Sequence, residues 1–242
     1  MIVLYYHPAC WTSYRLIKRV GPRKDVVMVN CSSNIGLPLS RGVLSVPLIE
    51  IDGRQVYGGP VDIETAASLI DGRMVSHPIG DLRKELTGAV VDSAAASAIV
   101  YMTGEIKQLL NFPQFLSACT GIGLLNDGGK NLGEVEDMIR SDGRLYEDLE
   151  PLMIRTLVHN IVRESIYVSY ALKGVSDFVW WLTAKASVGR LGAPFDNAVS
   201  GKARALYAYY LDNRAEIESK IGKEINIIRN DREFLDIIGS HS

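Results

Sequence analysis

Ile2 to Tyr6 is an unbroken run of β-branched, aromatic and leucine side chains, too short and too uniform for a surface helix. It predicts a strand buried on both faces. From Trp11 to Val20 the spacing turns helical, with Leu16, Ile17 and Val20 on one side and Arg15, Lys18, Arg19 and Arg23 on another. His7, Pro8 and Ala9 form the turn between them. Asp25 to Asn30 is a second short apolar run, so the order strand, helix, strand implies a right-handed crossover into a parallel sheet. Val46 to Ile51 and Arg54 to Tyr57 flank Asp52-Gly53, which predicts a hairpin closed by a two-residue turn. Gly58-Gly59-Pro60 then breaks the chain, and Val61 to Ile70 reads as a closing helix with proline near its start.

Alternation ends at Asp71 to Gly80, where Gly72, Pro78 and Gly80 mark a linker over residues 73–80. No strand set follows. Asp81 to Asn111 predicts one long helix, its apolar stripe running through Leu82, Leu86, Ala89, Val90, Ile99, Met102, Ile106 and Leu109. Phe112 to Leu125 predicts a shorter apolar helix, Asn126 to Gly133 a glycine-rich turn, and Leu132 to Arg140 another short helix. A helix from Pro151 to Leu172 follows acidic Glu147, Asp148 and Glu150, which suit its positive end. Ser176 or Asp177 can cap Phe178 to Val188, and GRLGAP ends that helix. Ala198 to Ile221 and Lys223 to Ile238 are amphipathic, separated by Gly222. The expected second half is therefore all-helical, with six or seven helices over residues 81–242.

Composition narrows the function classes. The chain has 242 residues, 47% hydrophobic and 22% charged, with a net charge of −2, which argues against a general nucleic-acid or membrane binder. Three cysteines are too few for a secreted disulfide scaffold, and the N-terminus has neither the basic region nor the small-residue cleavage site of a signal peptide, so a cytoplasmic location is expected. No window reaches the length of a spanning helix, since Gly88 to Met102 is interrupted by Asp92 and several serines. Gly121-Ile122-Gly123 follows a helix and not a strand, so it is no dinucleotide fingerprint. His7, His77, His159 and His241 are scattered, without the paired spacing of a zinc site.

One position is prepared for chemistry. Cys10 falls at the N-cap of the first helix, where unpaired backbone N–H groups and the positive end of the helix dipole favour a thiolate. Cys31 follows the second strand, and in a parallel sheet neighbouring strands open on the same side, which brings it toward Cys10. Cys31 is either a partner thiol for Cys10 or a loop cysteine with no role. Cys119, in the apolar context FLSACTGIGLL, reads as packing. Asp92, His159, Arg163 and Glu164 read as satisfied core or interface groups, with His159 and Arg163 one turn apart on a shared face. Trp180, Trp181, Tyr207, Tyr209 and Tyr210 read as core or dimer contacts, the alternative being a pocket between the two halves.

Four features together resemble a glutaredoxin or thioredoxin-fold domain over residues 1–72. They are Cys-x-x-Ser (Cys10 to Ser13) after the first strand, Ser45-Val46-Pro47 opening the third, the Asp52-Gly53 hairpin, and Gly58-Gly59 before the last helix. With the helical half behind it, the layout is similar to that of glutathione transferases, although no residue of that half matches a transferase motif. The implied fold class is α/β plus all-α: a thioredoxin-like four-stranded mixed sheet domain, then a larger helical bundle domain.

The resemblance also implies roles. The proline matching Pro47 is cis and lies against the active cysteine, and the residue before it, here Val46, offers its backbone to an extended thiol substrate. His7 stands where many glutaredoxins carry a lysine near the glutathione carboxylate, Arg15 matches a common basic position, and Asp62, after Gly58-Gly59, approximates the acidic residue that meets the glutathione amino group. Two departures matter. Trp11 replaces the usual proline, and Ser13 replaces the second cysteine, so Ser13 can hydrogen-bond a thiolate but cannot resolve a mixed disulfide. The expectation is a monothiol thiol-disulfide oxidoreductase in which Cys10 forms a mixed disulfide that an external thiol or Cys31 releases. Its partner would be glutathione, another small thiol, or a disulfide-containing protein, with a homodimer left open. A transferase-like enzyme with an apolar pocket from the helical half, a non-catalytic binding module, and a carrier in which two copies share an iron-sulfur cluster are the alternatives.

Overall fold

The computed structural model describes residues 1–33, 38, 40–73, 75, 81–124, 128–141, 144–188 and 197–239. Most of the expected linker and the GRLGAP segment lie outside these residues.

Strand β1 (Ile2–Tyr6) is central, with β2 (Val26–Asn30) parallel on one side and β3 (Leu48–Ile51) antiparallel on the other; β4 (Arg54–Gly58) completes the order β2-β1-β3-β4. Helix α1 (Trp11–Val20) makes the crossover between β1 and β2. The period of two decides which way each β1 side chain goes. Leu4 and Tyr6 enter the main core with Leu16 and Ile17 of α1, while Val3 and Tyr5 pack on the other face with Val29, Val43, Leu48 and Ala118. The double burial read from the apolar run is thus met.

Asp52 and Gly53 both have positive φ, 49° and 81°, as a two-residue hairpin turn between paired strands requires. Strand β3 starts at Leu48, two residues later than the apolar run suggests, because Pro47 has no N–H to give a ladder. The Val46–Pro47 peptide bond is cis. Helix α2 (Ile63–Ile70) begins after Asp62, whose carboxylate accepts the Thr65 N–H at 2.8 Å. Edge strand β4 is covered: the backbone around Val56 is met by Gly123 so closely that a Cβ on Gly123 would stand 2.6 Å from the Val56 carbonyl oxygen.

The helical half differs from expectation at its breaks. The single helix expected over Asp81 to Asn111 is three pieces: α3 (Leu82–Asp92), α4 (Ala94–Thr103) and a 3-10 segment at Ile106–Asn111. Helices α3 and α4 bend by 97° at Ser93. The Ser93 hydroxyl accepts the Ala96 N–H at 3.0 Å and donates to the Leu44 carbonyl at 2.5 Å, so it caps one helix and ties it to the sheet half. The apolar stripe continues across the bend because both pieces pack into the same core.

Helix α5 (Pro113–Cys119) is shorter than expected, and α6 (Gly128–Ser141) begins inside the tract read as a turn. Helix α7 (Leu145–Tyr167) starts six residues before Pro151, with Glu147 and Asp148 in its first turn. Asp177 caps α8 (Val175–Ala186) from inside, accepting the Gly174 N–H. Helix α9 (Asn197–Asn230) runs straight through Gly222, because the buried stripe Ile217, Ile221, Ile225 and Ile228 outweighs the roughly 1 kcal/mol that one interior glycine costs. The break comes at Asp231, before α10 (Arg232–Gly239). Among the described residues the second half holds eight α-helices, α3 to α10, against the six or seven expected.

Helix α9 lies along α7 and α8, with α4 packed on both of the latter. One continuous apolar core joins the sheet half to the helical half. Helix α10 returns to α1, where Asp231 accepts from the Tyr14 hydroxyl at 2.7 Å and pairs with Lys18 at 3.1 Å. Among the described residues no single helix is long and apolar enough to cross a membrane, and the bent pair α3 and α4, which passes that test only jointly, has α4 buried within the protein.

Candidate functional site

The end of β1 and the start of α1 set Cys10. Its backbone N–H donates to the His7 carbonyl at 2.9 Å, and its φ and ψ of −79° and 120° are the extended values of an N-cap residue. Its sulfur accepts the Ser13 backbone N–H at 3.4 Å and lies 3.6 Å from the Val46 carbonyl, to which the protonated thiol donates. The thiol is partly exposed. Cys10 is thus the side chain that caps α1, and Val46, across a sequence gap of 36 residues, faces it.

Cys10, Trp11 and Val46 open on a cleft of about 500 Å³ whose near wall continues through Gly59, Pro60, Val61 and Asp62. Trp11 leans on Tyr14 with ring centroids 5.1 Å apart. Asp62 borders the cleft, but its carboxylate is occupied in capping α2. Gly59 has a φ of +73°, and a Cβ there would stand 3.0 Å from the Cys119 sulfur, so only glycine lets the turn close over that thiol. Full burial, reinforced by the charge of Asp92, pushes the Cys119 thiol well above its usual range, in keeping with a packing role.

The far wall belongs to the helical half. Arg155, His159 and Arg163, at successive turns of α7, line it together with Thr156 and Asn160, and Val91 and Asp92 close it from the end of α3. Burial and the nearby cations Arg155, Lys220 and Arg163, opposed by Glu216, hold the His159 imidazole below its ordinary range. The packing around Asp92 pushes its carboxyl up. Arg163 pairs with Glu224 of α9 at 2.5 Å. Arg163, paired with Glu224, is a satisfied interface group as expected, and together with Asp92 and His159 it also borders the cleft that Cys10 faces. Arg155 and Thr156 were missed altogether, although a polar stripe at four-residue spacing on an otherwise apolar helix was a usable signal.

Other expected site residues stand elsewhere. The Ser13 hydroxyl is buried and has no hydrogen-bond partner among the described residues; Ser13 reaches the sulfur through its backbone N–H. Arg15 is exposed on α1 and does not border the cleft, and Gly58 ends β4 paired to Leu48. Of the basic residues on the other side of α1, Lys18 is tied to Asp231 before α10 and Arg19 to Glu64 at 2.8 Å.

His7 turns away from the cleft. Its Nδ1 accepts the Ala9 N–H at 3.2 Å and its ring meets Tyr167. Burial drives its pKa down to about 4, Glu164 acting against this and Lys185 and Arg163 with it. At neutral pH it is an uncharged turn residue outside the cleft lining, which removes it from the position of a cation meeting a substrate carboxylate. Glu164 sits beside it, bonded to Lys185 at 2.6 Å and to the Trp181 indole N–H at 2.8 Å; burial raises its pKa, but Lys185, His7 and Trp181 together bring it below the usual range.

Cys31 donates its backbone N–H to the Tyr6 carbonyl at 2.8 Å, and its side chain packs against the second core cluster with its sulfur 3.9 Å from the Val29 carbonyl. Burial pushes its thiol up to about 12, with Lys185 opposing and the nearby Cys10 sulfur adding to the rise. Of the aromatics considered for a pocket, Tyr210 is buried against Phe178 and Tyr207, and Trp180 is 69% exposed; none borders the cleft. No family model, curated protein or solved structure matches the chain.

Proposed function

We propose that this chain is a monothiol thiol-disulfide oxidoreductase whose sheet half is of the glutaredoxin kind and whose reacting atom is the Cys10 sulfur. The observation that carries the reading is the position of that sulfur: at a helix N-cap, open to a cleft, between the Ser13 N–H and the Val46 carbonyl. The cis bond before Pro47, next to that carbonyl, and the strand order around β1 add to the likeness.

In the first step the Cys10 thiolate attacks one sulfur of a disulfide RS–SR′. A Cys10–S–S–R bond forms, the S–S bond breaks, and R′S⁻ leaves with the electron pair. A second thiolate R″S⁻ then attacks the R sulfur, giving R″S–SR and returning Cys10 as thiolate. One disulfide is reduced and one formed, so no further oxidant or reductant is needed. The Val46 backbone lies where an extended substrate would align. Burial pushes the Cys31 thiol up to about 12, far from a ready nucleophile, so in this reading the second thiol comes from outside the chain.

A transferase with an apolar pocket is less well supported, because the α7 wall is polar. Turnover of the neutral bis(2-hydroxyethyl) disulfide with dithiothreitol tests the proposal. Catalysis above the uncatalysed exchange, with the parallel double-reciprocal lines of a ping-pong cycle, is expected. A rate equal to the uncatalysed one at every protein concentration overturns it.

A further inference from the structure

The polar wall of α7 is used by none of the steps above. Arg155, His159 and Arg163 project from successive turns of one helix into the cleft that Cys10 enters. Their charges are not equally committed. Arg163 is neutralised by Glu224, whereas the exposed Arg155 has no carboxylate partner among the described residues. Of the acids bordering the cleft, Asp62 already holds the first turn of α2, and Asp92 stands at the end of α3, its carboxyl pushed up by desolvation. The field at His159 is set by three cations, Arg155, Lys220 and Arg163, against Glu216. His159 itself stays uncharged and offers hydrogen bonds, as does Asn160, whose Nδ2 donates to the Thr156 carbonyl while its oxygen stays available.

We propose that the α7 wall is a subsite for an anionic group, carboxylate or phosphate, carried by the small thiol that exchanges at Cys10, with Arg155 as its principal contact. The inference rests on the thiol-exchange reading of Cys10 and gives the helical half its part in it: the sheet half holds the sulfur and the helical half reads the charge of what is attached to the substrate sulfur. An anion at this place meets a guanidinium with fork geometry and an imidazole held below its ordinary range, and α7 itself lines the cleft with no carboxylate, the one acid of that wall, Asp92, coming from the end of α3. A cationic thiol meets the same field with the opposite sign.

The test compares three disulfides of similar size with dithiothreitol as the common reductant: dianionic 3,3′-dithiodipropionate, neutral bis(2-hydroxyethyl) disulfide and dicationic cystamine. In the wild-type protein kcat/KM is expected to fall in that order, the dianion exceeding the neutral compound by about tenfold, the size of one charge-assisted hydrogen bond. In Arg155→Gln the ratio of dianion to neutral falls to about one, and Arg155→Lys recovers part of it because a point charge remains without the fork. Because Arg155 is exposed, neither variant threatens the fold. Stronger competition by inorganic phosphate than by acetate at equal ionic strength assigns a phosphate-bearing thiol; the reverse assigns a carboxylate-bearing one.

Equal kcat/KM for the three disulfides overturns the subsite and leaves the chemistry of Cys10 standing. A ratio that survives Arg155→Gln but collapses in Arg15→Gln moves charge reading to α1 and also overturns it. Absence of turnover with the neutral disulfide in the wild-type protein refutes the exchange reading itself, a result separable from either of these.

Discussion

Cys10→Ser loses disulfide turnover by roughly a thousandfold or more, as enzymes deprived of their nucleophile do, while Cys31→Ser stays within about twofold of the wild-type protein. The serine at position 10 is an informative replacement because its side chain is a preferred N-cap. It can accept the Ser13 N–H that the sulfur now accepts, so helix α1 keeps its cap and the loss of activity is not a loss of fold. A hydroxyl does not open a disulfide. At position 31 the thiol is held protonated by its burial, and serine removes a sulfur that takes no part in the cycle. Steady-state rates with the neutral disulfide, alongside denaturant midpoints for both variants, check this. Loss of turnover in Cys31→Ser with an unchanged midpoint would make Cys31 the resolving thiol and return a two-cysteine cycle.

Acid weakens the folded protein by about 2 kcal/mol between pH 7.5 and pH 5 through His7 alone, given its pKa of about 4. The sign follows from which state binds the proton. An unfolded histidine takes one up near pH 6.5, whereas the folded His7 resists until about 4, so in this window the unfolded chain carries more protons and falling pH favours it. Stability from this source is complete above pH 6.5 and is lost progressively down to about pH 4. His159, also held low, acts in the same direction. Glu164 acts at still lower pH, because its carboxylate is stabilised in the fold and its contribution fades only as pH falls below the ordinary carboxylate range. In His7→Asn the amide oxygen can accept the Ala9 N–H without a titrating group, so the loss between pH 7.5 and pH 5 shrinks by most of the His7 share. Urea midpoints at the two pH values measure it. Equal losses in wild type and variant would mean that His7 is protonated in the folded state.

The sheet half was readable because each of its signals is local. The apolar run at Ile2 to Tyr6, the change of period at Trp11 and the Asp52-Gly53 turn each decide the backbone within a few residues. The helical half was harder for a physical reason. Apolar spacing continues across Ser93, where the helix bends, and is interrupted by Gly222, where it does not, because burial against other helices outweighs local propensity at both places.

Cys10 was likewise legible from its position before a helix, whereas the wall it faces was not. Arg155 and His159 meet Cys10 only through packing of α7 against the sheet half, and nothing in their own stretch of sequence says which part of the chain they will face. Arg15 shows the converse: five residues after Cys10, it is close in sequence yet does not border the cleft. His7 shows it too, since its three-residue separation from Cys10 says nothing of the half-buried Glu164 and Lys185 beside it.

The most direct test of the account is to trap the intermediate. Intact protein is mixed with bis(2-hydroxyethyl) disulfide at pH 7, quenched in acid before a second thiol is added, and the modified cysteine is located by peptide mass mapping. The account predicts a mixed disulfide on Cys10, with Cys31 and Cys119 unmodified. A mixed disulfide formed first on Cys31, or none on Cys10 until the protein is unfolded, would contradict it.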